Sequence, residues 1–142
     1  MKAKLSPLQV KHVIIRKCKI EENVEGTPKQ NLALDFDAGI TEDGMYILTI
    51  KLNFNKSSRE PMLKVEAEAD FLFSIDPGLP EDQKIKLLVY NGLAIAYGML
   101  RGIVFQKCCM LPPDFRILPG VNLLPLIEEK LKQEDEAAGQ KH

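Results

Sequence analysis

The residues of this chain that could do chemistry are first of all carboxylates. Glu66, Glu68 and Asp70 alternate with apolar residues, and Asp35 and Asp37 have the same spacing. Two carboxylates in different environments can act as a general acid and a general base. A period of two, however, places all members of such a row on the solvent face of one strand. The spacing therefore favours a solvated or docking surface over a catalytic pair.

Histidines and cysteines offer little more to an enzyme. The chain has two histidines and three cysteines. His12, Cys18, Cys108 and Cys109 have the ligand types of a zinc site, but adjacent cysteines close a tetrahedral shell poorly. The sequence contains no phosphate loop, dinucleotide fingerprint, Gly-x-Ser-x-Gly elbow or Cys-x-x-Cys pair. We expect a protein without catalytic residues, metal or cofactor.

The charge distribution argues against nucleic-acid binding. A net charge of −1 and a pI near 6.1 lack the excess of lysine and arginine that meets phosphates. Residues 21–82 are the acidic part, with 14 acidic and five basic side chains. The N-terminus has no apolar run typical of a signal peptide, and the cysteine pattern fits a reducing compartment. We expect one cytoplasmic domain over 1–142, with flexible ends at 1–9 and 134–142.

Four segments of the first half are predicted to form β-strands. They are rich in β-branched residues or alternate apolar with polar residues. Gly and Pro residues mark short turns between them, and short connections favour antiparallel neighbours. We therefore expect a four-stranded antiparallel meander with one buried face. The segments are 10–21, 31–38, 44–54 and 63–73.

A long helix is predicted over about residues 80–106. Pro80 suits its first turn, Glu81 its positive end and Lys107 its negative end. Apolar residues occur on nearly all sides of this helix, and the sheet can cover only one of them. Another layer must therefore cover the outer side.

The outer side of this helix is predicted to pack against a second copy of the chain. The alternative is a membrane span, because residues 87–105 have about the length that crosses a bilayer. Arg101 would cost roughly 2.5–3.5 kcal/mol near the bilayer centre, and Asn91 weakens the span further. We therefore expect no membrane span. The predicted interface residues are Tyr90, Ala94, Tyr97, Gly98, Arg101, Gly102 and Phe105.

A proline-rich loop follows the helix. Pro112, Pro113 and Pro119 keep their neighbours extended, so residues 108–121 should be irregular, with a last helix from about 123 to 136. The strands and this loop carry many apolar residues, each of which could belong to the core. If several line a channel, they would bind extended, unfolded chain. The predicted lining is Phe36, Phe71, Phe73, Leu111, Phe115, Ile117, Leu118, Val121 and Leu124.

Three motifs of the second half occur in a fixed order. The strand ending in FLF is followed by LLVYNGLAIAYGMLRGIV and then by LPPDFRILPGVNLLPLIEE. This order resembles the SecB-type protein-export chaperones, in which a Pro-Pro loop precedes a Leu-Pro-x-Val-Asn-Phe type motif at the last helix. Specific residues match over about 85–127. The chain differs in having Cys108 and Cys109 before the prolines and Leu123 where an aromatic residue is usual.

The resemblance implies an α+β domain that forms dimers and then a homotetramer, with the long helices between dimers. It implies a bacterial, cytoplasmic, ATP-independent holdase chaperone that binds unfolded polypeptide clients and serves protein transport. Relatives pass clients to the motor SecA, which docks on an acidic patch of the sheet. Other relatives shield an antitoxin, so a SecB-like protein dedicated to one partner is the alternative. The candidate docking residues here are Asp35, Asp37, Glu66, Glu68 and Asp70.

Overall fold

The computed structural model describes residues 1–139, and residues 140–142, which include His142, lie outside the described part. Four strands come first, followed by a long helix, an irregular loop and a C-terminal helix. This order confirms the α+β class with an antiparallel sheet. The bounds are β1 Leu8–Glu22, β2 Leu32–Ile40, β3 Tyr46–Phe54, β4 Leu63–Ile75, the long helix Glu81–Lys107 and the C-terminal helix Leu123–Gly139.

The spatial order of the strands is β1-β4-β3-β2, with all neighbours antiparallel. The predicted meander therefore holds for β2, β3 and β4, while β1 lies beside β4 instead of β2. The connection from β1 to β2 crosses the end of the sheet, where the Thr27 N–H donates to the Glu60 carbonyl and Thr27 O accepts from the Met62 N–H (2.8 and 2.9 Å). The result has the strand order of a Greek key, and β1 and β2 are its two edges.

One face of the sheet forms the core beneath the long helix. Leu48, Ile50 and Leu52 of β3 pair with Phe71, Ala69 and Ala67 of β4, and all six are buried. On the helix, Leu93, Ala96, Leu100 and Val104 are at most 1% exposed. The period-two pattern of the strands placed these residues on one side because successive side chains of a strand alternate between faces.

A π-helical turn interrupts the long helix at Leu88–Gly92. Gly92 lies against Phe73 there, since a Cβ on Gly92 would be 3.5 Å from the Phe73 ring. The extra residue of a π turn rotates all that follows. Tyr97 and Val104, which follow the π turn, face the core, while Ile103 is only partly buried.

The long helix has the length and apolar composition of a candidate membrane span. In the structure one of its sides packs on the sheet, and 44% of its most apolar window is buried. This packing is typical of a helix that covers the core of a folded domain. The opposite side of the helix is exposed in this chain.

The ends of the chain are more regular than expected. β1 begins at Leu8, inside the segment 1–9 that was predicted to be flexible, and the C-terminal helix continues to Gly139, past the predicted boundary at 134. Ile127 anchors this helix in the core. The loop before it is irregular as predicted, apart from a short 3-10 turn at Pro113–Phe115.

Candidate functional site

Five of the nine residues predicted to line a client channel belong to the core of the subunit. Each is at most 4% exposed, because the aromatic strand residues share the inner face of the sheet and the two leucines pack beneath the loop. This corrects the predicted lining at these positions, since an enclosed side chain cannot contact a client. The five residues are Phe36, Phe71, Phe73, Leu111 and Leu118.

The other four residues remain accessible, and two of them form a cleft. Phe115 is 42% exposed and Ile117 is 50% exposed, and both line a cleft of about 50 Å³ together with Phe54 and Met62. Its opposite wall is the chain at 28–30, just before β2. Leu124 is half exposed and Val121 is partly buried. The cleft places apolar side chains next to the backbone that leads into an edge strand.

Met110 is a further exposed apolar residue of the loop that was missed. It is 60% exposed and lies beside the proline pair. No pattern identified it, because the loop has no period that would separate outward from inward side chains. Met is an adaptable apolar contact residue, which suits a surface that meets varied side chains.

Glu22, at the end of β1, fixes the start of the loop. Its Oε1 accepts a hydrogen bond from the Cys109 N–H (2.9 Å), and its Oε2 accepts from the Met110 and Leu111 N–H groups (2.8 Å each). Burial raises the pKa of Glu22, but these three bonds to the charged form outweigh burial and leave the pKa lowered. No sequence pattern indicated this contact, because the partners are more than 80 positions apart.

Arg116 fixes the middle of the loop. Its side-chain Nε donates to the Leu111 carbonyl at 2.6 Å, and its backbone N–H donates to the Pro113 carbonyl at 3.1 Å. The Phe115 N–H donates to the Pro112 carbonyl at 3.0 Å. The exposed side chains of the cleft are therefore carried by a backbone with fixed geometry.

Tyr97 and Arg101, both predicted at an interface between copies, hold the end of the loop, and the partly buried Arg101 stays a predicted interface residue. The Tyr97 hydroxyl donates to the Pro119 carbonyl at 2.6 Å, and Arg101 Nε donates to the Leu118 carbonyl at 3.0 Å. Tyr97 is 4% exposed, and its burial raises its pKa. This burial corrects the interface prediction for Tyr97, which follows the π turn and faces the loop.

The outer side of the long helix keeps the other predicted interface residues. Ala94, Gly98 and Gly102 are exposed, Tyr90 is 39% exposed and Phe105 is partly buried. Ile95 and Met99, each 37% exposed, belong to the same side and were missed. A Cβ added at Gly98 or Gly102 would meet no atom within 4 Å. Self-association through this outer stripe, defined by Tyr90, Ala94, Ile95, Gly98, Met99 and Gly102, stays a prediction.

The predicted acidic face is largely ion-paired within the subunit. Asp70 is buried, since Arg16 pairs with it from β1 and the Thr49 hydroxyl donates to it at 2.8 Å. This corrects its assignment to an exposed patch. Burial raises the pKa of Asp70, and the bonds from Arg16 and Thr49 outweigh burial and lower it. Glu66 pairs with Lys17 at 2.6 Å.

The remaining carboxylates of that face differ among themselves. Asp35 and Asp37 both pair with Lys130 of the C-terminal helix, at 3.2 and 3.3 Å. Within residues 1–139, Glu68 is the one carboxylate of the predicted five without an ion pair. A partner that docks on this face would have to compete with Arg16, Lys17 and Lys130. SecA docking stays a prediction.

The cysteines of the described part of the chain form no metal-binding cluster. Residues 1–139 contain no group of three or more Cys, His, Asp or Glu that could hold a metal ion. All three cysteines are free. Burial raises the pKa of Cys108 to about 11, so its thiol stays protonated at neutral pH.

Comparisons with known proteins give a weak likeness among solved structures and none among sequences. No family model matches the sequence, and no curated protein matches it. Among solved structures, a SecB-like chaperone of Mycobacterium tuberculosis, in complex with a peptide from an antitoxin, is 15% identical with a TM-score of 0.44. The alignment covers 70% of this chain and 79% of that one. A likeness of this size establishes neither family nor function.

Proposed function

We propose that this protein binds extended segments of unfolded polypeptides and keeps them from aggregating, without ATP and without a catalytic step. The observation that carries the proposal is the cleft rim, where Phe115 and Ile117 are 42% and 50% exposed on a fixed backbone. Contiguous exposed apolar surface rimmed by polar residues marks interaction sites, and Phe115 and Ile117 share a cleft with Lys29 and Asp114. Extended chains are suited to such a cleft because their side chains and their backbone are both accessible.

The rigidity of the loop supports this proposal. The loop backbone is held by side-chain hydrogen bonds at three points: Glu22 at its start, Arg116 in its middle and Tyr97 at its end. A surface whose side chains are already in place loses less conformational entropy when a client binds. We further propose that the protein acts in the cytoplasm and self-associates through the outer stripe. Service in protein export through SecA would then depend on the face around Glu68.

A second candidate function is the binding of one dedicated partner. The cleft volume of about 50 Å³ favours it, because such a space admits little more than one small side chain. A site of this size selects a particular sequence more readily than it accepts many. The range of clients separates the two functions, since a holdase should protect several unrelated unfolded chains and a dedicated binder only one.

The test is suppression of aggregation of several chemically unfolded polypeptides, followed by light scattering. We expect the wild-type protein to suppress it and the double variant Phe115→Ser with Ile117→Ser to lose most of that effect. Ile14→Ser is the matched control, because Ile14 is 49% exposed on β1, the opposite edge of the sheet. Equal activity of the double variant and the wild type would contradict the proposed site. Protection of no client by the folded wild-type protein would contradict the holdase function.

A further inference from the structure

β2 is an edge strand whose outward backbone groups can be identified. The Asn55 N–H donates to the Asn31 carbonyl at 2.7 Å, so the odd-numbered residues of this segment face β3. In an antiparallel pair both polar groups of a residue point the same way and alternate along the strand. Leu34, Phe36 and Ala38 therefore direct their N–H and C=O groups away from the sheet.

One of these outward groups is already occupied. The carboxylate of Asp35 accepts the Phe36 N–H at 2.9 Å through its Oδ1. The same oxygen accepts from Lys130 Nζ at 3.2 Å, and Asp37 Oδ1 lies 3.3 Å from that ammonium group. Asp35 and Lys130 together cover the edge of β2 at Phe36.

The side chain of Lys130 reaches this position by passing around the edge. Asp35 and Asp37 point to the outer face of the sheet, whereas the C-terminal helix packs on the inner face through Ile127. Only 20% of the Lys130 side chain is exposed. Burial lowers the pKa of Lys130, but the two aspartates outweigh burial and raise it, so the ammonium group stays charged.

Open space remains between β2 and the C-terminal helix. A cleft of about 270 Å³ lies along the edge; its apolar lining is Leu34, Phe36 and Leu126, and its polar lining is Asp35, Glu129, Lys130 and Gln133. The two linings match the two faces of an extended strand, whose successive side chains point in opposite directions. The negative charges of Asp35 and Asp37 favour a cationic group at the position that Lys130 Nζ occupies.

We propose that Asp35 and Lys130 form a latch on the edge of β2, and that an extended client segment with a lysine or arginine among alternating apolar residues displaces it and adds as a fifth strand. The cationic side chain would take the place of Lys130 between Asp35 and Asp37. The apolar side chains would lie against Leu34 and Leu126. This inference rests on the proposed function and names the class of segment that the protein selects.

Charged residues on edge strands also serve to prevent aggregation, and that role is the alternative. A purely protective lysine would prevent strand addition in the wild type, which would then neither prefer the lysine peptide to the glutamate peptide nor lose binding on N-methylation. A latch predicts that the wild type already binds the cationic segment by strand addition, and that removal of Lys130 increases this affinity. The two roles therefore differ in a measurable way.

The probe is a fluorescein-labelled nonapeptide with blocked ends, alternating leucine and threonine, with lysine in place of the central threonine. Fluorescence anisotropy gives its dissociation constant. We expect Lys130→Met to bind it about three- to tenfold more tightly than the wild type, because two ion pairs no longer compete. Lys132→Met is the matched control, since Lys132 is an exposed lysine of the same helix. It should leave the affinity unchanged.

Two further measurements separate strand addition from other contacts. Asp35→Asn with Asp37→Asn should abolish the preference for the lysine peptide over the same peptide with glutamate. A peptide that is N-methylated on the backbone edge facing β2 should lose binding, because it cannot donate to the strand. An unchanged affinity in Lys130→Met, or equal binding of the N-methylated peptide, would overturn the latch.

The proposed function can be judged separately. Loss of peptide binding in Phe115→Ser with Ile117→Ser, combined with no effect of Lys130→Met, would overturn the latch and leave the cleft as the binding site. Tighter binding in Lys130→Met together with unaltered aggregation suppression in the cleft variant would support the latch and contradict the cleft.

Discussion

Two adjacent residues of the loop, Ile117 and Leu118, should respond in opposite ways to truncation. Ile117 is 50% exposed at the cleft, whereas Leu118 is 0% exposed and packs in the core cluster with Val104 and Leu111. We predict that Leu118→Ala lowers stability and spares client binding per folded molecule. Ile117→Ala should spare stability and weaken client binding.

The size of the Leu118 effect follows from its surroundings. Leu-to-Ala changes in cores cost about 2–5 kcal/mol, and the cost is larger where neighbours cannot move into the cavity. Arg101 donates a hydrogen bond to the Leu118 carbonyl and Tyr97 donates one to the Pro119 carbonyl, so the loop cannot move freely into the cavity. We therefore expect about 3–4 kcal/mol for Leu118→Ala. For Ile117→Ala we expect less than about 1 kcal/mol, as is usual for exposed positions.

Urea unfolding followed by far-ultraviolet circular dichroism measures both changes. The chain has no tryptophan, so tryptophan fluorescence cannot report unfolding. Protomer concentration must be equal in all samples, because self-association shifts apparent stability. A loss below about 1 kcal/mol for Leu118→Ala would show that the loop does not close over the core. A loss of client binding in folded Leu118→Ala that exceeds the loss in Ile117→Ala would contradict the division between core and cleft.

Three further predictions follow from single contacts. The folded state lowers the pKa of Glu22 below its ordinary value of 4.5, so the charged carboxylate stabilises the fold above about pH 4.5. This stabilisation is lost as the pH falls through the lowered pKa. Glu22→Gln should flatten that part of a plot of unfolding free energy against pH. Gly26→Ala should lower the free energy of unfolding by about 1–3 kcal/mol in urea titrations, because its Cβ would lie 2.7 Å from the Pro61 carbonyl oxygen; an unchanged value would contradict that close approach. Gly98→Leu has room within the subunit, so it should fold normally and sediment as a smaller species if the outer stripe joins two copies; an unchanged sedimentation coefficient would refute that interface.

The sequence predicted the strands well but not their order. Alternation of apolar and polar residues reports directly which face of a strand is buried, because it is the geometry of the pleat. It does not report which strand lies alongside. The connection between β1 and β2 allowed a hairpin, and its crossing depends on backbone bonds from Thr27 to Glu60 and Met62 that no side-chain pattern encodes.

The candidate site was predicted less well, for a related reason. Phe71 and Phe73 have the same alternation as their core neighbours, so their apolar character could not separate a channel from the core. In the loop no period exists, and Ile117 and Leu118 look alike in sequence. Tyr97 was misplaced because the π turn shifts the helix by one residue, and π turns carry no clear sequence signal.

The cleft at Ile117 and the latch at Lys130 both lie against the segment 28–36, which leads into β2 and forms its first half. The cleft is lined by residues 28–30, and the latch covers the edge at Phe36, about six residues further on. At about 3.4 Å per residue an extended client would span that distance of roughly 20 Å with about seven residues. A client could thus place an apolar side chain in the cleft and a basic one between Asp35 and Asp37. Selection by the two features together would restrict the clients far more than exposed apolar surface alone.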